Sequence, residues 1–284
     1  MRLLMRYIVV LGILLLSAGS AHAQCSDAGA CAISYGASAS QNKVGLSYIF
    51  GSSGKPDDLR FHTVRLEGVF GLFDHSRISV ELPYSSQSGP LGNTSGLGDL
   101  VVVWNQRLVD DAPSQLSAHL GAKLAAGDNN ANALPQSYQS TLGTNDILIG
   151  LSYLYNDWNA ALVYQFSRGR SNNAITGLRR GDDLLVRAGY LFAVEQVHFL
   201  AELLAVKRLE QSSVLNSATP VSNDYIDIPN SDQFQLNVQG TLQYSLSENY
   251  NLQLSTAIPL LKRDVNVDGL KRSFTLSVGL SHLF

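Results

Sequence analysis

The chain predicts an all-β fold, a transmembrane up-and-down antiparallel β-barrel of about twelve strands. Three observations carry that expectation. Apolar residues alternate with small or polar ones in segments of roughly 9–11 residues, the length that a tilted membrane strand needs. Short and long connections take turns along the chain. The last segment runs to the final residue and ends on an aromatic, Phe284.

That last segment shows the pattern most plainly. Phe274, Leu276, Val278, Leu280, His282 and Phe284 lie on one face, with Thr275, Ser277, Gly279 and Ser281 between them. A period of two is a strand, because successive side chains leave opposite faces of a pleated backbone. Chain ends usually fray, so a closing strand this regular implies a pairing partner. It resembles the C-terminal insertion signal of bacterial outer-membrane barrels, which implies the barrel-assembly machinery as a partner of the strand ending at Phe284. The last strand of a soluble sandwich is the alternative, and the rest of the chain decides between them.

At the other end, Arg2 and Arg6 precede an apolar stretch from Tyr7 to Leu16, followed by the small-residue site Ala21-His22-Ala23. This is a secretory signal peptide over 1–23, too short to span a bilayer and flanked correctly for cleavage. Its removal takes the balance from 20 basic and 23 acidic residues to 18 against 23, a net −5 with histidine neutral. No basic stripe invites nucleic acid. Cys25 and Cys31, the only cysteines, enter an oxidising compartment close together, so a disulfide is favoured over a metal or redox site. Such a short loop pins a local turn and adds little to the stability of a domain. Residues 24–40 are small and polar, a periplasmic tail or a short plug, and 41–284 form the barrel. No cofactor or metal is expected.

The strands follow in order. Residues 41–50 place Val44, Leu46, Tyr48 and Phe50 on one face; 61–72 place Val64, Leu66, Phe70 and Leu72; 76–84 place Ile78, Val80, Leu82 and Tyr84. Segments 99–108, 115–125, 145–155 and 158–167 continue the alternation, and 183–192 and 197–209 repeat it. Residues 233–245 set Phe234, Leu236, Val238, Leu242 and Tyr244 against Gln233, Gln235, Asn237, Gln239, Thr241 and Gln243. Residues 250–258 and the terminal strand complete the set.

Tight turns fall around Asp74-His75, around Asn156-Asp157, at 193–196 and at 246–249, with a moderately short connection at 109–114. Long connections fall at 51–60, 85–98, 126–144, 168–182, 210–232 and 259–272. Outer-membrane barrels show this asymmetry, with tight periplasmic turns and longer extracellular loops. A soluble sandwich has no reason to keep it through six hairpins. An even strand number puts both ends of the mature chain in the periplasm of a Gram-negative envelope, with outer-membrane lipid around the barrel. Phe70, Phe73, Tyr153, Tyr155, Trp158, Tyr190, Phe192, Tyr244, Tyr250 and Phe284 fall beside the short turns, as an interfacial aromatic girdle should.

From Glu81 the chain reads Glu-Leu-Pro-Tyr, a Ser/Gly-rich stretch, Ser-Gly-Leu-Gly-Asp-Leu, then a strand ending Asn-Gln-Arg-Leu at Leu108. A second stretch has Gly127 and then Leu142-Gly143-Thr144-Asn145-Asp146 leading into Ile-Leu-Ile-Gly-Leu-Ser-Tyr. These motifs resemble the family of outer-membrane proteins named for the MetA pathway of phenol degradation. The resemblance spans the middle third by motif and the mature chain by strand layout. It implies transport at the outer membrane, often associated with aromatic catabolism. It supplies no catalytic or ligand residues, and the family name is not evidence that this chain handles phenol.

With the apolar face assigned to lipid, the other parity lines the lumen. It carries Lys43, Arg65, Glu67, Arg77, Glu81, Arg107, Lys123, Arg187, Glu202 and Arg208, with His119 and His198. Charges of both signs suit a hydrated lumen, and equally an interior filled by ion pairs. Val101, Val103, Leu148, Val163, Leu185, Leu200 and Leu204 share that parity, a mixed wall better suited to a small amphipathic or aromatic solute than to a sugar. Asp99, Asp146 and Asp183 each open a descending strand below a long loop. They predict an acidic arc at the extracellular mouth that favours cations, although aspartate is also common at such junctions for its local backbone hydrogen bonds.

Catalysis finds little support, and the chain is not expected to be an enzyme. Asp74-His75 sits in a tight turn, and His62 and His282 face outward without recognisable serine and asparagine partners. Gly51-Ser-Ser-Gly54-Lys55 lacks the spacing and following helix of a phosphate loop. The expected function is passive or substrate-selective passage of small, aromatic or hydrophobic molecules. A surface barrel whose loops bind a partner or support the envelope is the second reading, and an outer-membrane hydrolase the third.

Overall fold

A computed structural model describes residues 41–55, 57–219 and 224–284. The signal peptide, the segment 24–40 and the Cys25–Cys31 disulfide lie outside the described residues.

Twelve strands close into one antiparallel barrel. In chain order they are β1 (Lys43–Ser52), β2 (Arg60–Phe73), β3 (Ser76–Gly89), β5 (Leu100–Asp111), β6 (Ser114–Leu124) and β7 (Asn145–Tyr155), then β8 (Trp158–Arg168), β9 (Asp183–Val194), β10 (Val197–Arg208), β13 (Phe234–Ser245), β14 (Tyr250–Leu261) and β15 (Phe274–Leu283). Three short strands lie outside the ring: β4 (Gly92–Leu97), which pairs with the far end of β3, and the ribbon of β11 (Ser213–Leu215) with β12 (Tyr225–Asp227).

Each wall strand pairs with its chain neighbour, and β15 closes the ring on β1 from Lys43↔Leu283 to Ser52↔Phe274. Asn42 and Phe284 then exchange backbone hydrogen bonds, each 3.0 Å. The closing strand therefore has partners on both sides, β14 and β1. Closure leaves none of the twelve an unpaired edge, the condition for a sheet in hydrocarbon.

Parity divides the wall cleanly. Ile147 is 46% exposed while Leu148 is 0% exposed, and Leu203 and Leu204 stand at 45% and 1%. Large apolar side chains cover the outside, and the aromatics beside the short turns, including Phe73, Tyr153, Tyr155, Trp158 and Phe192, are among the exposed ones. The rings pack along the wall, with Trp158 edge-on to Tyr190 at 4.9 Å and Tyr190 edge-on to Phe192 at 4.7 Å.

Two stretches read as open loops have strand structure. Residues 85–98 form a hairpin in which β3 runs on to Gly89 and pairs with β4 from Tyr84↔Leu97 to Gly89↔Gly92. Serine, threonine and glycine give that hairpin no apolar alternation, so its strands leave no period to read. Gly92, at φ +139°, takes a backbone that other residues rarely adopt. Within 210–232, the β11–β12 ribbon is short and attaches to the loop after β8 through an Arg179↔Ser213 bridge.

Candidate functional site

The barrel interior is layered. The loop end holds charge, an apolar layer follows, and polar groups fill the rest.

At the loop end, Asp99, Asp146 and Asp183 do face inward, but they do not form an exposed acidic arc. Their residues are 6%, 1% and 3% exposed, and each carboxylate is ion-paired. Lys123 Nζ lies 3.3 Å from Asp99, which also accepts from the Leu142 backbone N–H and the Thr141 hydroxyl. Arg180 donates to Asp146 at 3.0 Å and to Asp183 at 2.6 Å. Arg208 holds Asp183 through two bonds of 3.1 Å, from Nε and Nη2. Burying a carboxylate is costly unless it is paired and hydrogen-bonded, and the loops supply the partners. Cation preference therefore does not follow from these three residues.

The loop after β14, residues 262–273, completes the cluster. Arg263 Nη2 stands 3.5 Å from Asp183, while the Asp268 carboxylate accepts from Arg208 Nη2 at 2.8 Å and lies 3.4 Å from Arg180 Nε. Burial acts to raise the Asp268 pKa, but Arg208, Arg180 and Arg263 outweigh it and hold the carboxyl well below its ordinary range. Burial pushes the Arg263 guanidinium down to about 10.

The loops bond to one another as well as to the wall. Asn173 donates to the Asn129 carbonyl, Asn130 to the Asn172 carbonyl and Asn132 to the Asn93 carbonyl, at 2.6, 2.7 and 2.7 Å. Leu59, Phe61 and Tyr138 form a small apolar core beneath them, with the Arg272 guanidinium 3.2 Å from the centre of the Phe61 ring. The Gly269 backbone sits against Ser137, with φ +71°, where a β-carbon would lie 2.8 Å from the Ser137 carbonyl oxygen. Together they make a folded cap over one mouth.

Directly below comes a contiguous buried cluster of Val101, Val103, Leu148, Val163, Leu185, Leu204 and Val206. Two-residue steps connect the layers: Asp99 to Val101, Asp146 to Leu148, Asp183 to Leu185 and Arg208 to Val206, about 7 Å along each strand. Strand β6 lies between β5 and β7 and contributes Gly121 at this level. A β-carbon there would stand 2.9 Å from Val103 Cγ2 and 3.4 Å from Leu148 Cβ, so the glycine lets those two side chains close over it.

The wall of β1, β2 and β3 is charged. Lys43 meets Glu67 at 2.6 Å, Glu67 lies 3.7 Å from Arg65, and Arg65 lies 3.4 Å from Glu81. Arg187 and Glu202 approach to 3.8 Å below the apolar layer. Arg77 donates to the Gln41 carbonyl, and Arg107 pairs with Asp110 at the turn end. Thus Lys43, Arg65, Glu67, Glu81, Arg107, Lys123, Arg187, Glu202 and Arg208, placed in the lumen by parity, each have an opposite charge beside them.

One array escaped the sequence reading. Asn105 donates its amide N–H groups to Ser79 Oγ at 3.0 Å and to the Val103 carbonyl at 3.3 Å, leaving its oxygen 2.6 Å from His119 Nδ1. That contact puts the proton on Nδ1, so His119 Nε2 accepts from Ser152 Oγ at 2.7 Å. Asn105 and His119 are direct cross-strand partners, and Ser152 is diagonal across β6 and β7. The connectivity is that of a Ser–His–Asn relay. Ser152, however, stands inside a regular strand where backbone N–H groups serve the ladder, so no backbone pair is free to hold an oxyanion.

No family model and no curated protein matches the sequence. Among solved structures, the chain is similar to an outer-membrane channel from Pseudomonas putida F1, with TM-score 0.63 and 16% identity over 88% of this chain and 97% of that one. It is also similar to the NanC porin, with TM-score 0.52 and 11% identity over 85% of this chain and 98% of the other. The likeness is one of fold: this chain is an outer-membrane-type β-barrel.

Proposed function

We propose that the protein is an outer-membrane channel for selective passage of small molecules with apolar character. The contiguous apolar layer from Val101 to Leu204 inside the barrel carries the reading. The side chains of this layer pack on one another and must part to admit a solute; one with an apolar face then gains by leaving water there, which general hydrophilic traffic does not. Charged residues on β1–β3 give the lumen a polar side, so an amphipathic molecule finds complementary walls. The fold shared with an outer-membrane channel and a porin supports passage. In this reading the leader 1–23 is cleaved, a Cys25–Cys31 disulfide pins the start of 24–40, and the strand ending at Phe284 addresses the assembly machinery.

The test is uptake by liposomes holding the refolded mature chain. With the rate into protein-free liposomes subtracted, since benzyl alcohol also crosses lipid unaided, benzyl alcohol or benzoate should enter faster than glucose. Equal exclusion of all three, alongside a properly folded barrel, would remove passage. The hydrogen-bonded cap favours one other reading, a closed barrel whose loops bind a partner, and that outcome would support it.

A further inference from the structure

The charge cluster under the cap contains three arginines, Arg180, Arg208 and Arg263, and three aspartates, Asp146, Asp183 and Asp268. Its members differ in how they are held. Asp146 and Asp183 belong to the wall strands β7 and β9. Asp268 belongs to the loop, next to Gly269, and reaches the cluster from its tip. With Asp268 turned away, three guanidiniums face two carboxylates, and one positive charge is left without a counterion. The Nε of Arg263 is buried and makes no hydrogen bond among the described residues, and the Nε of Arg180 has only the 3.4 Å ion-pair approach of Asp268, so the cluster holds donor capacity that its hydrogen bonds do not use. Leu148 and Leu185 lie two residues below Asp146 and Asp183, on the lumen side of the same strands.

We propose that Asp268 occupies the seat of a solute carboxylate, and that the channel takes small organic acids with an apolar body. The solute's carboxylate replaces that of Asp268 between Arg208 Nη2 and Arg180 Nε. Arg263, only two residues beyond β14, stays on Asp183. Guanidinium forks are the side chains best matched to a carboxylate, and a buried positive charge is costly without one. Below the seat, the apolar body inserts between Leu148 and Leu185, which are packed against their neighbours and part to admit it. Displacing Asp268 frees the loop tip from the wall, so the molecule that fits also loosens the cap. This deepens the proposed passage function and rests on it.

The experiment measures benzoate and benzyl alcohol binding to the refolded chain by calorimetry, together with uptake of both into liposomes. Benzoate should bind and benzyl alcohol should bind far more weakly. D268N, which removes an intramolecular competitor, should tighten benzoate roughly tenfold or more, and R263Q should weaken it. Folding of each variant is checked by heat-modifiable migration, and R263Q decides should D268N not fold. Equal binding of the acid and the alcohol, no binding of benzoate, or benzoate binding that neither variant alters overturns the seat. Uptake separates the two ideas. Unselective entry of both solutes above the rate into protein-free liposomes sinks the seat and leaves passage standing, while benzoate binding without such uptake keeps the seat and sinks passage.

Discussion

Asp268 and Arg208 meet at 2.8 Å although they lie 60 residues apart, one at a loop tip and the other at the end of a wall strand. The pair ties the tip of the loop 262–273 to the barrel wall itself. Both side chains are only 2–3% exposed, so breaking it strands a charge. We predict that D268A loosens the cap by about 3–5 kcal/mol, as for a buried ion pair that loses one partner. Hydrogen exchange across 262–273 reads this directly. Protection as in the parent chain would mean that the loop is held by its other contacts.

The same pair sets a pH window. The Asp268 carboxyl is held below its ordinary range in the folded chain. A depressed carboxylate stabilises fully above its unfolded pKa of about 4 and loses that contribution as pH falls through the folded value. Protection of 262–273, corrected for intrinsic exchange, should therefore stay level from neutrality down to about pH 4 and fall only in stronger acid. A decline centred near pH 6 would point to a histidine instead.

Gly121 should not accept a side chain. In G121V the new methyl groups would meet Val103 and Leu148, whose close approach needs the missing β-carbon. Overpacking of this kind costs about 1–3 kcal/mol, and urea unfolding of the refolded barrel in detergent measures it. An unchanged midpoint would show that the apolar layer yields.

The charged wall should set ion preference. In the chain Lys43–Glu67–Arg65–Glu81, E81Q leaves Arg65 with Glu67 alone, itself shared with Lys43, so the reversal potential should move towards anions. R187A exposes Glu202 and should move it towards cations. Unchanged potentials in both variants would remove these residues from the conduction path.

Ser152 should behave as a hydrogen-bonding hydroxyl. A fluorophosphonate probe is expected to leave it unlabelled, and S152A should cost about 1 kcal/mol of stability, the net worth of one hydrogen bond. Labelling abolished by H119F would turn the array into a nucleophile and reopen the hydrolase reading.

What the sequence showed and what it hid have one physical source. Leu148 could be placed inside and Ile147 outside because a strand's period of two survives without any knowledge of neighbours. Asp183 could be placed at the loop end for the same reason. Of its partners only Arg208 could, since Arg180 and Arg263 lie in loops that carry no period, and the sign of a mouth depends on them. The three aspartates read as an arc stand buried and ion-paired there. His119 and Asn105 were likewise assignable to a face or a strand, but their meeting depends on register, which parity alone does not fix. The β3–β4 hairpin hid in serine and glycine.

Sharing of Asp183 among Arg180, Arg208 and Arg263 has a consequence for noise. A carboxylate bonded to three partners from three segments is not released by degrees, because losing one contact shifts the field felt by the others. The cap should then behave as a two-position switch. In a single-molecule current record, that means abrupt steps between two levels, with dwell times spread exponentially, instead of a drifting baseline. The statistics of those dwells would count how many segments move together.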